Sequence, residues 1–194
     1  MEQEFIIAGL GGQGVLFLTR ILSLIAQECN LPFIGSEIHG MSQRGGSVVS
    51  HFRIGNMKGP LVREGRADVI FALEESEAYR NLFFLRGGGK IYVDTGKDFP
   101  LSPFKEILLK RNVSAVTINA TDMATEISSS SSANLVLLGC YIASEEQGLT
   151  REAAEKSISK IGKARVVEKN LEAFIRGFES SQLSTIRSGN KAEN

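Results

Sequence analysis

A glycine-rich segment near the N-terminus has the residue types and spacing of a phosphate-binding turn. Gly9, Gly11 and Gly14 follow the pattern G-x-G-x-x-G, with Gly12 and Gln13 between the last two. An apolar segment precedes the pattern and apolar residues at helical spacing follow it, so it would lie where a strand leads into a helix. In that position glycine lets the backbone turn tightly and leaves amide groups free to bind a phosphate or a carboxylate.

Three interpretations of this turn are compatible with the sequence. The glycines could bind a phosphate or carboxylate group, they could form an NAD or FAD site, or they could only let the first helix pack closely against the sheet. A dinucleotide site also needs an acidic residue about 20 residues further on, at the end of the second strand, to bind a ribose hydroxyl. Gly35 and Ser36 occupy that strand end, and Glu37 follows late, inside a loop. The NAD interpretation is therefore weakened.

A second segment, from Ser36 to Ser47, concentrates polar chemistry. It combines a carboxylate, an imidazole, an amide, a guanidinium and three hydroxyls with three glycines, in the side chains of Ser36, Glu37, His39, Ser42, Gln43, Arg44 and Ser47. The pair Gly45 and Gly46 would let the main chain approach a ligand, while the guanidinium can hold a phosphate or carboxylate bidentately. The histidine could transfer a proton near neutral pH or only form hydrogen bonds. A loop that contacts a neighbouring subunit is an equally open interpretation.

The cysteine and histidine content limits the cofactors that the chain could hold. Iron–sulfur clusters of the common kind need four thiolates, and the chain contains only Cys29 and Cys140. Both lie in apolar helical segments, which favours buried, reduced thiols. There is no CxxC or HExxH spacing and there are only two histidines. We therefore expect no metal site and no independent hydrolase triad.

Charge and the N-terminal sequence argue against further classes of protein. Lys plus Arg and Asp plus Glu number 22 each, so no net field would draw the whole molecule to nucleic acid or to an anionic membrane. The first residues lack a basic segment and become glycine-rich after a short apolar run. They predict neither a signal peptide nor a membrane span, and we expect a cytoplasmic protein.

Apolar segments and segments of helical spacing alternate along the chain. Strands are predicted at 4–8, 31–34, 47–54, 67–73, 90–94 and 114–119. Helices are predicted after the glycine turn and at 74–85, 104–110, 134–144, 150–161 and 170–187, with glycines 87–89 ending the second and a loop at 36–46. Alternation in strand 47–54 predicts one solvated or interfacial face, which carries His51 and Arg53. The order predicts an α/β, Rossmann-like fold whose mostly parallel sheet has helices on both faces. It forms one domain over 1–187, with a polar frayed tail at 188–194.

With both motifs in place, the sequence resembles the small (gamma-type) subunit of the 2-oxoacid:ferredoxin oxidoreductases. The resemblance covers nearly the whole chain and includes the opening strand with G-x-G-G-Q-G and the polar loop ending in Arg-Gly-Gly. The segment from Glu37 to Val48 is more similar to the indolepyruvate branch, and thus to the beta subunit of that enzyme, than to the pyruvate or 2-oxoglutarate branches. Two alternatives stay open: a gamma subunit of one of those other enzymes, or a stand-alone Rossmann nucleotide-binding protein.

The resemblance implies a division of labour between two chains. A large alpha-type partner would carry thiamine diphosphate, magnesium and iron–sulfur clusters, and would decarboxylate an arylpyruvate to an acyl-coenzyme A while reducing ferredoxin. This chain would hold no cofactor by itself, would be inactive alone and could form a homodimer when isolated. It would face the phosphates of coenzyme A or the active-site cleft. The candidate ligand-binding residues are Gly9, Gly11, Gly12, Gln13, Gly14, Ser36, Glu37, Gln43, Arg44, Gly45 and Gly46, and His39 is the one candidate catalytic residue.

Overall fold

A computed structural model of the protein describes residues 1–39, 45–127, 129–144 and 148–189. Within these residues a six-stranded sheet has the order β2-β3-β1-β4-β5-β6. The strands are β1 Gln3–Leu10, β2 Phe33–His39, β3 Ser47–Ile54, β4 Ala67–Ala72, β5 Leu85–Asp94 and β6 Ser114–Ile118. Strands β1, β4, β5 and β6 run parallel to one another, whereas β3 runs antiparallel to both of its neighbours, β1 and β2.

The helices cover both faces of this sheet. They are α1 Val15–Glu28, α2 Glu75–Asn81, α3 Phe104–Lys110, α4 Ala120–Glu126, α5 Ala133–Ser144, α6 Arg151–Ser159 and α7 Ala164–Gly189. Buried residues of α1 and α4 to α7 pack on one face, and buried residues of α2 and α3 pack on the other. The α/β, Rossmann-like prediction is confirmed. None of the helices in the described ranges is long and apolar enough to cross a membrane.

Strand β1 shows why the core has two layers. Successive side chains of a strand point to opposite faces of the sheet. Phe5 and Ile7 therefore belong to the cluster under α1 and α5, whereas Ile6 and Ala8 belong to the cluster under α2 and α3. All four are fully buried, as expected for a strand that is covered on both sides.

Helices α5 and α7 pack with their backbones in close contact at two glycines. A Cβ on Gly139 would lie 2.1 Å from the Phe174 carbonyl oxygen, and a Cβ on Gly177 would lie 2.0 Å from the Val136 carbonyl oxygen. At this crossing the buried Cys140 thiol donates to the Gly177 carbonyl oxygen over 3.0 Å. Both cysteines are free thiols, as expected, although Cys29 is only half-buried.

The predicted loop at 36–46 was wrong in its first part. Strand β2 extends to His39, so Ser36 and Glu37 also lie on a strand. The cause is tertiary pairing, because β3 supplies hydrogen-bonding partners to β2 along its whole length. The polar sequence alone gave no sign of this partner.

The prediction that His51 lies on a solvated or interfacial face of β3 was also wrong. His51 is only 2% exposed, and its Nδ1 accepts a hydrogen bond of 3.1 Å from the Val62 amide. The ring meets Phe84 edge to face at 5.1 Å between ring centroids. Burial lowers the pKa of His51, whereas Val49 and Arg53 on the same face of β3 are only half-buried.

Three further boundaries differ from the sequence prediction. The helix after β4 ends at Asn81 and continues as the short 3₁₀ turn Leu82–Phe84. Glycines 87–89 do not end a helix but lie inside β5, next to a shift in its register with β4. Helix α4 was not predicted. The division into a domain at 1–187 and a tail at 188–194 stays a prediction; α7 reaches Gly189, and 190–194 lie outside the described residues.

Candidate functional site

The turn between β1 and α1 lies at the carboxyl edge of the parallel strands. Gly9 is a strand residue paired with Val48, so the turn itself consists of residues 11–14. Gly12 has φ of +102° and Gly14 has φ of +85°, and the latter caps α1 in the left-handed conformation. Side chains other than glycine rarely adopt such angles, which is the local reason for glycine at these two positions.

Two side chains fix the shape of this turn from inside. The Gln13 Oε1 accepts a hydrogen bond of 2.7 Å from the Leu10 amide, while its Nε2 donates to Glu74 Oε2 over 3.1 Å. The Asn134 Nδ2 donates to the carbonyl oxygens of Gly14, at 3.1 Å, and of Gln13, at 3.4 Å. Gln13 thus braces the turn instead of pointing away from the chain. Sequence reasoning had assigned no role to Glu74 or Asn134, because both lie far from the turn in sequence.

The first amides of α1 remain available for a ligand. The first bond that the helix makes runs from the Leu18 amide to the Gly14 carbonyl oxygen over 2.9 Å, and no side chain caps the helix. Among the residues that the structure describes, no acceptor is found for the amides of Gly12, Gly14, Val15, Leu16 and Phe17. Unpaired amides and the positive end of the helix dipole together favour an anion here.

A cleft of about 410 Å³ lies over this helix N-terminus. Its lining comes from the turn, the first residues of α1 and the start of β3: Leu10, Gly11, Gly12, Gly14, Val15, Leu16, Phe17 and Val48. The walls are apolar, so a charged group in the cleft would find its polar contacts at the backbone amides. This combination of apolar walls and a few converging donors is typical of a ligand site.

The second motif is attached directly to the first. The Gly11 amide donates a hydrogen bond of 2.9 Å to the Gly46 carbonyl oxygen, and Ser47 pairs with Leu10 across the sheet. The Ser47 hydroxyl also donates to Oε2 of the fully buried Glu77 over 2.7 Å. The Gly45–Gly46 end of the second motif is therefore held against the glycine turn.

The remaining residues of the second motif are placed less completely. His39 ends β2 and pairs with Val48, which pairs in turn with Gly9. With strands about 4.8 Å apart, the backbones of His39 and Gly9 lie roughly 10 Å from each other. Ser36 and Glu37 line a different groove, between α1 and β2. Gln43 and Arg44 lie outside the described residues.

The antiparallel strand β3 separates β2 from β1. In a dinucleotide-binding fold the second strand lies directly beside the first, and an acid at its end reaches the ribose. Here the neighbour of β1 on that side begins with Ser47 and Val48, and Glu37 is one strand further away. This topology speaks against a dinucleotide site of the Rossmann type.

A second, smaller cleft of about 230 Å³ opens on the other side of the turn. Asp94, at the end of β5, lies in its wall and accepts hydrogen bonds from the Thr121 amide at 3.1 Å and the Thr121 hydroxyl at 2.6 Å. Sequence reasoning missed this pair, since α4 was not predicted, although Asp94 did end a predicted strand. The carboxylates of Glu74 and Asp94 make this side of the turn less suited to a phosphate than the α1 side.

No group of three or more His, Cys, Asp or Glu side chains that could hold a metal ion occurs in the described part of the chain. The full sequence contains two thiols, and Cys140 donates to Gly177 of α7 from inside the core. Burial raises the pKa of this thiol to about 11. A four-thiolate iron–sulfur cluster therefore does not fit this chain alone.

Comparison with known proteins places these features in a family context. A family model described as pyruvate ferredoxin/flavodoxin oxidoreductase matches residues 4–180. Two proteins named indolepyruvate oxidoreductase subunit IorB, from Archaeoglobus fulgidus and Methanothermobacter thermautotrophicus, are each 32% identical. The alignments cover 93% and 92% of this chain and 96% and 97% of theirs. The crystal structure of a keto/oxoacid ferredoxin oxidoreductase gamma subunit from Geobacter sulfurreducens has a TM-score of 0.76 at 26% identity, over 93% of this chain and 99% of that one.

Proposed function

Because the chain belongs to the pyruvate ferredoxin/flavodoxin oxidoreductase family and is the small subunit of a 2-oxoacid:ferredoxin oxidoreductase, we propose that it completes an active site shared with a larger partner chain. The proposed substrate is an arylpyruvate such as indolepyruvate, since the two relatives named indolepyruvate oxidoreductase subunits align with this chain over nearly the full length of both chains. The proposed reaction is oxidative decarboxylation to an acyl-coenzyme A with reduction of ferredoxin, in the cytoplasm.

Thiamine diphosphate, magnesium and the iron–sulfur clusters are assigned to the partner in this proposal. The support is chemical: two thiols cannot ligate a common cluster, and the described residues contain no cluster of metal-binding side chains. The small chain by itself is then inactive.

The contribution of this chain is a binding site for a phosphate group of coenzyme A. The observation that carries the proposal is the Gly11 to Gly46 hydrogen bond, which joins the glycine turn to the end of the Arg-Gly-Gly loop. Beside this bond, the unpaired amides at the start of α1 open into the 410 Å³ cleft. A phosphate there would accept backbone hydrogen bonds, and Arg44, which precedes Gly45 in the sequence, is proposed to supply a positive charge.

The test compares two substitutions at one residue in the co-expressed complex. Leu16→Pro removes an amide that has no acceptor in the described residues, whereas Leu16→Ala shortens the same side chain and keeps the amide. A hydrogen bond to a charged group is worth about 1.5–3 kcal/mol, so Leu16→Pro should raise the KM for coenzyme A at least tenfold. The KM for the oxoacid should not change. Ferredoxin reduction measured at varied coenzyme A, and separately at varied oxoacid, gives the two KM values.

Equal coenzyme A constants for the two Leu16 variants would contradict the site. Thermal unfolding of each isolated variant checks that proline in the first helical turn is tolerated. Arg44→Gln gives an independent measurement, since it removes the charge of the adjoining loop and should also raise the KM for coenzyme A alone.

The pyruvate and 2-oxoglutarate enzymes of the same family are the first alternative. A screen of the complex with indolepyruvate, pyruvate and 2-oxoglutarate separates the three by kcat/KM. The second alternative, a stand-alone nucleotide-binding protein, is disfavoured by β3, which lies between β1 and β2. Micromolar binding of NAD by the isolated chain would support it.

A further inference from the structure

The start of helix α2 contacts both motifs through two carboxylates. Glu74 caps the helix, and the amide of Glu77 donates to the Glu74 carbonyl oxygen over 3.1 Å, so the two residues are neighbours. The Glu74 Oε2 accepts a hydrogen bond of 3.1 Å from Gln13 Nε2, and the Glu77 Oε2 accepts one of 2.7 Å from the Ser47 hydroxyl. One helix start therefore holds a residue of the glycine turn and the last residue of the second motif.

The same two motif residues also meet at the end of β1. The Leu10 amide donates to Gln13 Oε1 over 2.7 Å, and Leu10 pairs with Ser47 across the sheet. These contacts form a closed ring, which we call the α2 bracket. Its members are Leu10, Gln13, Glu74, Glu77 and Ser47. Because the ring is closed, the two motifs cannot shift relative to each other without breaking one of its contacts.

The buried carboxylate of Glu77 is better explained by position than by stability. Glu77 is fully buried, which is unfavourable for a carboxylate unless its oxygens are hydrogen-bonded. The Ser47 hydroxyl bonds to Oε2, and the Arg80 guanidinium donates to Oε1 over 2.7 Å. Arg80 is 65% exposed, and an ion pair with so exposed a cation adds little stability. An apolar side chain is often as stable as a buried charge, so the role of the carboxylate is to fix Ser47.

The carboxylates of the α2 bracket lie across the sheet from the proposed coenzyme cleft. Helix α2 packs on one face, and the cleft lies over α1 on the other. Successive side chains of a strand point to opposite faces, so Ser47 points towards α2 while Val48 lines the cleft. On the other side of Ser47, the Gly46 carbonyl oxygen accepts the hydrogen bond from the Gly11 amide. Fixing Ser47 therefore fixes a wall of the cleft and the contact between the motifs.

We propose that Glu77 and Glu74 are positioning residues of the coenzyme A site, an inference that rests on the proposed function. They do not touch the ligand. They hold Ser47 and Gln13 from behind the sheet, so that the first amides of α1 and the Gly45–Gly46 segment face the phosphate together. The ligand binds only chains in which the two motifs are docked, so its apparent affinity falls in proportion to the docked fraction.

The alternative is that these bonds only attach α2 to the sheet. A bond of the same kind at the same end of the helix separates the two roles. The Thr95 hydroxyl donates to Glu75 Oε2 over 2.9 Å, and Thr95 follows β5 and belongs to neither motif. Loss of either hydroxyl would loosen α2, whereas only the loss of the Ser47 hydroxyl would release the second motif.

The decisive variant is Ser47→Ala, which removes the hydroxyl and keeps the backbone pairing with Leu10. Hydrogen exchange of the Gly11 amide, followed by NMR on the isolated full chain, reports docking because this amide bonds to Gly46. A hydrogen bond to a charged group changes an equilibrium constant about tenfold or more, so the Gly11 amide should exchange about tenfold faster. Thr95→Val is the matched control and should leave this exchange rate unchanged.

Kinetics of the co-expressed complex test whether docking matters for the ligand. Ser47→Ala should raise the KM for coenzyme A about threefold or more, because only the docked fraction binds it. The value of kcat and the KM for the oxoacid should not change, and Thr95→Val should leave all three constants unchanged. Ser47→Thr keeps a hydroxyl and should restore both the Gly11 exchange rate and the KM for coenzyme A. Glu74→Ala, which removes the acceptor of Gln13, should raise the same KM.

Unchanged Gly11 exchange in Ser47→Ala would overturn the inference. So would faster exchange with an unchanged KM for coenzyme A, which would show that the bond serves the fold alone. Failure of the coenzyme site itself is a separate result, because it appears as equal KM values for the two Leu16 variants. Gly11 exchange is measured without any ligand and reports the α2 bracket in either case.

Discussion

Glycine has opposite uses in two regions of this molecule. Where α5 crosses α7, a Cβ on Gly139 or Gly177 would lie 2.0–2.1 Å from a backbone oxygen of the other helix. In the two motifs at the carboxyl edge of the sheet, a Cβ on Gly12 or Gly45 would have no atom within 4 Å among the described residues. The first pair is required by contacts inside the chain, whereas the second pair has φ values of +102° and +74° and open space around it.

The surroundings of a glycine distinguish one that is needed for internal packing from one that could contact a ligand. A glycine at a helix crossing is fixed by its neighbours, and its replacement must push two helices apart. A glycine in an open turn is fixed by its backbone angle, and the described residues leave space beside it. A pattern of glycines in the sequence cannot distinguish these cases, but the distances to surrounding atoms can.

The largest effect on stability is expected at the helix crossing. Gly177→Ala would place a methyl carbon 2.0 Å from the Val136 carbonyl oxygen, so α5 and α7 must separate. Overpacking of this kind costs about 3 kcal/mol or more, because backbone atoms cannot move aside as a side-chain end can. The free energy of unfolding in urea, monitored by circular dichroism, measures the loss. Glu168→Ala, on the exposed side of α7, is the control and should change it little. If Gly177→Ala is as stable as the wild type, then glycine is not required at the α5/α7 crossing, and the contrast with the open turns is wrong.

An intermediate effect is expected from pH at the same crossing. Burial raises the pKa of the Cys140 thiol to about 11, above its ordinary value of about 9. The folded state therefore favours the neutral thiol. Its contribution is complete below pH 9 and is lost as the pH rises from about 9 to about 11, by up to roughly 2–3 kcal/mol.

Other groups also titrate in this range, so the informative quantity is the difference between the wild type and Cys140→Ala. The unfolding free energy of the wild type should fall more steeply between pH 9 and pH 11 than that of the variant. Parallel curves would show that the thiol is not held neutral by the α5 and α7 packing.

The smallest effect is expected in the open turn. Gly12→Ala adds a methyl group that has no atom of the described residues within 4 Å, so the expected cost in unfolding free energy is that of the positive φ, about 1 kcal/mol. Urea unfolding of the isolated chain checks this value alongside Gly177→Ala. Equal losses of unfolding free energy for Gly12→Ala and Gly177→Ala would show that the turn is packed inside the chain. That result would contradict a role of the turn in ligand recognition.

Sequence reasoning succeeded where the signal is local. The strand, glycine turn and helix at the N-terminus follow from apolar periodicity and from the glycine pattern at positions 9, 11 and 14, and β3 was predicted with its bounds at Ser47 and Ile54. Reasoning failed where partners distant in sequence decide the outcome. His39 lies on a strand because β3 pairs with it, and His51 is buried because Val62 and Phe84 cover it.

The candidate site also combines features that local sequence predicts with features that depend on contacts between distant residues. The sequence identified the glycine turn and the Arg-Gly-Gly segment as chemically suited to an anion and included Gln13 among the candidate ligand-binding residues. The structure shows Gln13 hydrogen-bonded to the Leu10 amide and to Glu74, and its binding of a ligand stays a prediction. Asn134 and Asp94 join the region only through the fold, because α5 and β5 bring them to the carboxyl edge of the sheet.

The order of apolar and helical segments, with glycines at the turn, thus determined the fold class and the local conformation between β1 and α1, since periodicity and backbone angles are properties of neighbouring residues. Tertiary structure alone decided that Gly46 closes on Gly11, that β3 separates β2 from β1 and that α1 leaves an open groove beside β2. These features depend on which distant segments pair and how far each helix reaches across the sheet, and such contacts are settled by packing of the whole chain.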